Sequence, residues 1–160
     1  MDYLWSPWRM EYISGEKKDY CVLCEEVTRP DGPENLIVFR GKLAYVILNR
    51  YPYTSGHLMV VPYLHVASLE DLNPDTRSEI MELSAISIKV LRAEYHPQGF
   101  NLGINIGEVA GAGILDHIHL HIVPRWGGDT SFMSALSNTR VLPEALADSY
   151  LRIKKAWDNS

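Results

Sequence analysis

Short apolar runs dominate the first part of the chain and predict β-strands. Positions 36–39 and 43–48 are apolar, and the second run is continuous, as expected for a buried strand. A third run at 57–61 ends at Pro62, which interrupts a β-ladder. The residues 52–56 (PYTSG) have the composition of a turn. These runs predict three consecutive strands.

The hydrophobic period changes from two to 3.6 residues after the third strand. Asn73 suits the N-cap of a helix, and Pro74 suits its first position. Apolar residues recur at helical spacing from there to about Tyr95. They include Leu83, Ile86, Val90 and Ala93. Pro97 and Gly99 end the pattern, which predicts one long helix.

The remaining elements complete an α+β domain. Positions 100–106 and 117–123 alternate apolar with small or polar residues and predict a fourth and a fifth strand. The tail at 142–157 is predicted to be helical. Sequential strands with short connections favour an antiparallel five-stranded sheet with helices on one face. We therefore expect one domain over 1–160, with a core at about 20–135 after an aromatic N-terminal segment.

Composition and charge exclude several partners. The 160 residues carry a formal net charge of −5, and no basic stripe indicates nucleic-acid binding. No apolar run approaches the roughly 20 residues of a membrane span, so we expect no membrane partner. The start of the chain lacks a basic stretch followed by an apolar one, the mark of a secretory signal. We expect a cytoplasmic protein.

The most informative motif is a cluster of histidines in the predicted fifth strand. Three of the six histidines lie at 117, 119 and 121. Side chains alternate along a strand, so these three are predicted to share one face. Chance placement on a solvated face, a tri-histidine metal centre and one nucleophilic imidazole with phosphate-binding neighbours all fit this spacing. Gly107, Gly111 and Gly113 precede the strand, and a glycine loop that brings backbone N–H groups to an anion favours phosphate chemistry.

The two cysteines form a second motif. Cys21 and Cys24 are spaced as in a zinc knuckle, but a complete site needs about four ligands. Half of a metal site and a redox pair are both open interpretations, whereas a disulfide is the wrong default in a reducing compartment.

The histidine cluster and its surroundings resemble the histidine triad family. HIHLHIV matches the family's signature, His-φ-His-φ-His-φ-φ, in which φ is apolar. LAYVILNRYPYTSGHLMVVPY and FNLGINIGEVAG stand at the expected upstream positions, with LWSPWRM before them and HIVPRWGGD overlapping the triad's end. The likeness covers roughly residues 3–135.

The resemblance implies cleavage of dinucleoside polyphosphates, such as diadenosine tetraphosphate, at the α-phosphate. A transient nucleotidyl-histidine intermediate would pass its nucleotide to inorganic phosphate or to water. Two alternatives remain: hydrolysis of nucleoside phosphoramidates or aminoacyl adenylates, and a nucleotide-binding regulatory module without turnover. The resemblance also implies a homodimer and no organic cofactor.

The same resemblance assigns roles to individual residues. The middle histidine of the triad, here His119, is the nucleophile, and His121 binds phosphate oxygens near the leaving group. Asn49 corresponds to a ribose-binding position and Asn105 to a phosphate contact. The backbone that would wrap the α-phosphate belongs to Ala112, Gly113, Ile114 and Leu115. Gly113 and Ile114 stand where many relatives carry Gln or Ser, so that phosphate contact is expected from the backbone. His57 is expected to have a supporting role.

Zinc is the cofactor that the resemblance implies. Some members of this and a related family hold a structural zinc with two cysteines, a histidine after the third strand and the first triad histidine. Here these residues are Cys21, Cys24, His65 and His117. Zinc ligation by His117 would leave the chemistry to His119 and His121.

Overall fold

The computed structural model describes residues 19–129 and 144–160. The predicted aromatic segment before residue 19, the core positions 130–135 and the predicted helix start at 142–143 lie outside the described residues. Within the described part, no helix is both long enough and apolar enough to cross a membrane.

Three α-helices and five β-strands make up the described fold. In chain order they are α1 (Val22–Glu26), β1 (Ile37–Arg40), β2 (Ala44–Leu48), β3 (Leu58–Pro62), α2 (Pro74–Tyr95), β4 (Gly99–Ile104), β5 (Leu120–Arg125) and α3 (Leu146–Asp158). Two 3₁₀ turns, Leu69–Asp71 and Glu108–Ala110, lie between them. The sequence predicted every strand and both longer helices, but it predicted neither α1 nor the 3₁₀ turns.

The five strands form one antiparallel sheet in the order β1-β2-β3-β5-β4. This confirms the predicted α+β class with a five-stranded antiparallel sheet. The long connection through α2 leads from β3 to β4 at the edge of the sheet, and β5 then lies between β3 and β4. His121 consequently lies in an interior strand, opposite Met59 of β3 and Gly103 of β4.

The core lies where the helices pack on the sheet. All residues of β2 and β3 are buried, as their continuous apolar runs predict. Helix α2 packs on β2, β3 and β5, and α3 packs on β1 and α2. On α3, Ile153 is fully buried and Trp157 stacks on Phe39 of β1.

Helix α2 begins as predicted and buries a slightly different face. The Asn73 side chain accepts a hydrogen bond from the Thr76 N–H, and Pro74 occupies the first turn. The buried residues are Thr76, Ile80, Leu83, Ser84, Ser87, Val90 and Leu91. Ile86 and Ala93, expected among them, are exposed. The hydroxyl groups of Ser84 and Ser87 donate to carbonyl oxygens one turn earlier, so these polar side chains are satisfied within the core.

Strand β5 begins at Leu120, three residues later than predicted. The regular pairing of β3 with β5 reaches only from Leu58 to Val60. Pro62 has no N–H to continue the ladder. Its carbonyl oxygen instead accepts from the His117 ring, and the Ile118 N–H donates to Val66. Residues 117–119 therefore lead into the strand, held by contacts other than a β-ladder.

Candidate active site and metal centre

His119 is held in one tautomer. Its Nδ1 atom lies 2.9 Å from the carbonyl oxygen of His117. A carbonyl only accepts, so Nδ1 carries the proton and Nε2 keeps its lone pair. The residue is 6% exposed, and burial lowers the pKa of His119 below 6.5. The ring is consequently neutral near pH 7, with one nucleophilic nitrogen.

A chain of hydrogen bonds holds His121 in the opposite tautomer to that of His119. The Tyr53 N–H donates to Nδ1 of His57 over 3.1 Å. His57 is therefore neutral, with its proton on Nε2, and this atom donates to Nδ1 of His121 over 3.0 Å. The remaining proton of His121 is then on Nε2. Nε2 of His121 is therefore a hydrogen-bond donor, whereas Nε2 of the adjacent His119 is an acceptor.

The rings of His119 and His121 lie beside each other. Their centroids lie 4.8 Å apart in an edge-to-face arrangement. The Tyr53 ring packs against His57 at 4.7 Å and stacks on His121 at 6.1 Å. Sequence reasoning missed Tyr53, because its contribution is a main-chain N–H and a ring face that no spacing rule reveals.

The two predicted asparagines lie at strand ends near this pair. The Oδ1 atom of Asn49 accepts from the Tyr51 N–H over 2.9 Å, and its Nδ2 lies 3.4 Å from Nδ1 of His57. Asn49 thus closes the turn that carries His57. Asn105 follows Ile104, the partner of Leu120, so it leaves β4 at the level of His119.

The glycine-bearing loop after β4 is a compact turn. Gly107 and Gly111 have φ angles of 84° and 86°, which favour glycine. The Ala112 N–H donates to the Gly107 carbonyl over 3.3 Å. Among the described residues, no hydrogen-bond acceptor is paired with the backbone N–H groups at 113–115. Successive N–H groups of this kind form an anion-binding concavity.

The four predicted metal ligands come together. Their donor atoms all lie within 4.8 Å of one another. The Nδ1 atom of His117 is 3.3 Å from Cys21 Sγ and 3.4 Å from Cys24 Sγ, and Nδ1 of His65 is 3.3 Å from Cys24 Sγ. A tetrahedral zinc with bonds of about 2.3 Å to sulfur and 2.0–2.1 Å to nitrogen separates such donors by about 3.5 Å. The donor set and its spacing fit zinc.

The protonation of His117 also suits ligation. Its Nε2 donates to the Pro62 carbonyl over 2.8 Å, which leaves a lone pair on the Nδ1 that faces the cysteines. Burial lowers the pKa of His117. Burial, followed by the adjacent Cys21, raises the pKa of Cys24 to about 11. A bound cation would convert these thiols to the thiolates that ligation requires.

Comparison with known proteins identifies the family. The family model described as the HIT domain matches residues 32–128. The chain belongs to the histidine triad (HIT) family. A Mycobacterium tuberculosis HIT relative named AP-4-A phosphorylase is 40% identical in a match that covers 96% of this chain and 83% of that protein.

Solved structures of HIT proteins share the fold. A Zn-bound histidine triad family protein from Mycobacterium smegmatis superposes with a TM-score of 0.69 at 28% identity, covering 87% of this chain and 94% of that one. A hypothetical histidine triad nucleotide-binding protein from Sulfolobus tokodaii gives 0.70 at 26% identity, with coverages of 87% and 93%. The five-stranded sheet and the helices described above are therefore the HIT architecture.

Proposed function

We propose that the protein cleaves dinucleoside polyphosphates such as diadenosine tetraphosphate, with Nε2 of His119 as the nucleophile. The observation that carries the proposal is the hydrogen bond from His119 Nδ1 to the His117 carbonyl, because it leaves Nε2 as the free lone pair. The name AP-4-A phosphorylase of the relative at 40% identity supports this substrate class.

In the first step, the Nε2 lone pair of His119 attacks the α-phosphorus. The bond from that phosphorus to the bridging oxygen breaks, and its electron pair leaves with the nucleoside polyphosphate. The Nε2–H of His121, fixed by the bond from His57, donates to the phosphate oxygens beside the leaving group. The product is a nucleotidyl group on Nε2 of His119, whose Nδ1–H still donates a hydrogen bond to the His117 carbonyl.

In the second step, an acceptor oxygen attacks the same phosphorus and releases Nε2 of His119. For diadenosine tetraphosphate, inorganic phosphate as the acceptor gives ADP plus ATP, and water gives AMP plus ATP. We propose phosphate as the acceptor, supported by the name of the same relative.

Other residues would contact the phosphates and the ribose of the nucleotide. The backbone N–H groups of Gly113, Ile114 and Leu115 would hold the α-phosphate, with Ala112 closing the loop. Asn105 would contact the phosphates and Asn49 the ribose. Oδ1 of Asn49 accepts from Tyr51 and keeps a second lone pair, and Nδ2 has a second N–H besides the one near His57, so the amide would both accept from and donate to the ribose hydroxyls.

Cys21, Cys24, His65 and His117 would hold one zinc ion. When bound, zinc supplies a structural cross-link between the start of α1 and the approach to β5. No organic cofactor is needed for the two steps, because the nucleophile and the hydrogen-bond donor are both histidines.

The decisive experiment measures products from diadenosine tetraphosphate with and without inorganic phosphate. We expect ADP plus ATP from wild type when phosphate is present and little product without it. His119→Ala should lose activity, whereas His96→Asn, a histidine at the exposed end of α2, should keep it. Absence of any nucleotide product from wild type would refute the substrate class. Activity retained in His119→Ala would refute the assignment of His119 as the nucleophile. Cleavage of only phosphoramidates or aminoacyl adenylates would favour the alternative function as a hydrolase of those substrates.

We also propose a homodimer in the cytoplasm. Among the described residues, β4 pairs with β5 on one side only, so its other edge is a template for a strand of a second copy. Leu102 on β4, together with Met81 and Ile86 on α2, is exposed and supplies apolar surface for such a contact. A cysteine pair that holds zinc rather than forming a disulfide suits a reducing compartment.

A further inference from the structure

His117 is joined to its surroundings from three directions. Its ring Nδ1 faces the sulfur atoms of Cys21 and Cys24, and its ring Nε2 donates to Pro62. Its main-chain carbonyl accepts the Nδ1 proton of His119 over 2.9 Å. One residue therefore connects the cysteine pair with the ring that carries the proposed chemistry.

The position of the His117 carbonyl is not fixed by the sheet. Regular pairing of β5 begins at Leu120, so residue 117 lies outside the ladder that orders β3 and β5. The Ile118 N–H is bonded to Val66, the neighbour of His65. Because the Ile118 N–H and the His117 carbonyl belong to one peptide group, the carbonyl is held through the segment that carries His65, another donor of the metal centre.

A neutral imidazole without a fixed partner exchanges between its two tautomers. If the His117 carbonyl moves away, His119 is free to carry its proton on Nε2, and that tautomer has no lone pair toward the substrate. Small displacements of a reacting group have large kinetic effects, since a misplacement of about 1 Å costs on the order of 100-fold in rate.

We propose that His117 is a positioning residue through which occupancy of the Cys21, Cys24, His65 and His117 centre holds His119 in its nucleophilic tautomer. A cation bound by these four residues ties the His117 ring to α1 and thereby keeps its carbonyl opposite Nδ1 of His119. The proposal rests on the proposed function for the role of His119, and it extends that function by making turnover depend on the metal state.

The test titrates zinc into full-length protein labelled with ¹⁵N in histidine rings. His65→Asn is the most useful variant, because it removes the exposed ligand and leaves Cys21, Cys24 and His117. It should bind zinc more weakly than wild type, so that occupancy can be varied. Chelated wild type refilled with Co²⁺ is the rescue, and His119→Gln assigns the ring signals. His96→Asn is the control for removal of an unrelated histidine.

Four quantities are followed against metal content: the His119 tautomer, kcat, KM and the far-UV circular dichroism. We expect loss of metal to convert His119 from one tautomer to a mixture and to lower kcat about 10- to 100-fold, with a smaller change in KM and unchanged helix content. Zinc or Co²⁺ should restore the tautomer and kcat on the same titration curve.

Three outcomes would overturn the proposal: a wild-type protein that binds no metal, a His119 tautomer that does not respond to metal content, and circular dichroism that is lost on the same curve as kcat. The last result would mean that the centre serves folding alone. The tautomer measurement needs no substrate, so failure of the metal link is distinguishable from failure of the proposed function, which zinc-loaded wild type tests by cleaving diadenosine tetraphosphate.

Discussion

The Nε2 atom of His57 lies 3.0 Å from Nδ1 of His121, and His57 is fully buried behind it. Since the Tyr53 N–H occupies the other nitrogen of His57, the direction of this hydrogen bond is set by the backbone. A buried turn residue thus determines which nitrogen of His121 carries the proton that the proposed mechanism uses to bind phosphate.

Replacing His57 should impair turnover more than substrate binding. His57→Leu removes the donor to His121 and leaves the Tyr53 N–H without its partner. We expect kcat to fall about 10- to 100-fold with a smaller change in KM, and the free energy of unfolding to fall by about 1–3 kcal/mol. His57→Gln, which has both an acceptor and a donor, should recover part of kcat. Equal kcat values for the Leu and Gln variants would contradict an orienting role. Steady-state kinetics and urea unfolding make the comparison.

The acid limit of activity should lie below the ordinary range of histidine. In the proposed mechanism only the neutral His119 ring attacks phosphorus, and burial lowers the pKa of His119 below 6.5. We expect kcat/KM to stay constant as the pH falls through 6.5 and to decline only at lower pH. A profile from about pH 5 to 8 tests this. An acid limb centred at or above 6.5 would show that His119 is not the limiting base.

The lowered pKa of His119 also determines how the free energy of unfolding changes with pH. Between the unfolded pKa of about 6.5 and the lower folded value, the unfolded chain binds more protons on this ring than the folded chain does. The free energy of unfolding should therefore decrease as the pH falls through that window. His119→Gln, which has no titrating ring, should show a weaker decrease than wild type in urea unfolding.

Zinc should copurify with the protein at close to one ion per chain. The donor atoms of Cys21, Cys24, His65 and His117 already lie within 4.8 Å of one another. Cys24→Ser should lower the zinc content several-fold, and chelation should lower the unfolding temperature, because a ligand that binds only the folded state stabilises it. Elemental analysis and differential scanning calorimetry provide the readouts. A low zinc content that Cys24→Ser leaves unchanged would end the assignment.

Gly56 should be intolerant of a side chain. Its φ is +77°, and an added Cβ would lie 3.0 Å from a methyl group of Leu91 in α2. Gly56→Ala should lower the free energy of unfolding by about 1–3 kcal/mol and should also lower activity, since His57 follows directly. Gly32→Ala is the matched control, because nothing lies within 4 Å of the added carbon and its φ is not positive. Equal stability of the two variants in chemical unfolding would contradict this reasoning.

The protein should sediment at twice the 18.2 kDa of one chain. Leu102→Glu places a charge on the open edge of β4, where Leu102 is 41% exposed, and should shift the equilibrium toward monomer. Leu151→Glu is the control, because Leu151 is 57% exposed on α3, away from that edge. Analytical ultracentrifugation distinguishes the species. A monomeric wild type, or equal effects of the two variants, would refute dimerisation through β4.

Much of the fold was readable in the sequence because it depends on local patterns. The continuous apolar runs predicted β2 and β3, which are buried throughout. Asn73 and Pro74 predicted the start of α2 from capping chemistry that involves only adjacent residues. The five-residue helix α1 escaped prediction because it is too short for a hydrophobic period to develop. The start of β5 was predicted three residues early because its true limit depends on Pro62, a residue of another strand.

The candidate site could likewise be predicted from the sequence only in part. The sequence alone determined the order of the five strands and the two longer helices, the clustering of His117, His119 and His121, and the cysteine pair. Resemblance to relatives was needed to join Cys21, Cys24, His65 and His117 into one set. Only the tertiary structure decided which nitrogen of each ring carries a proton, since the partners are the main-chain atoms of His117, Pro62 and Tyr53. Backbone atoms are the same in every residue type, so their contacts have no signature in a sequence and arise only when the chain has folded.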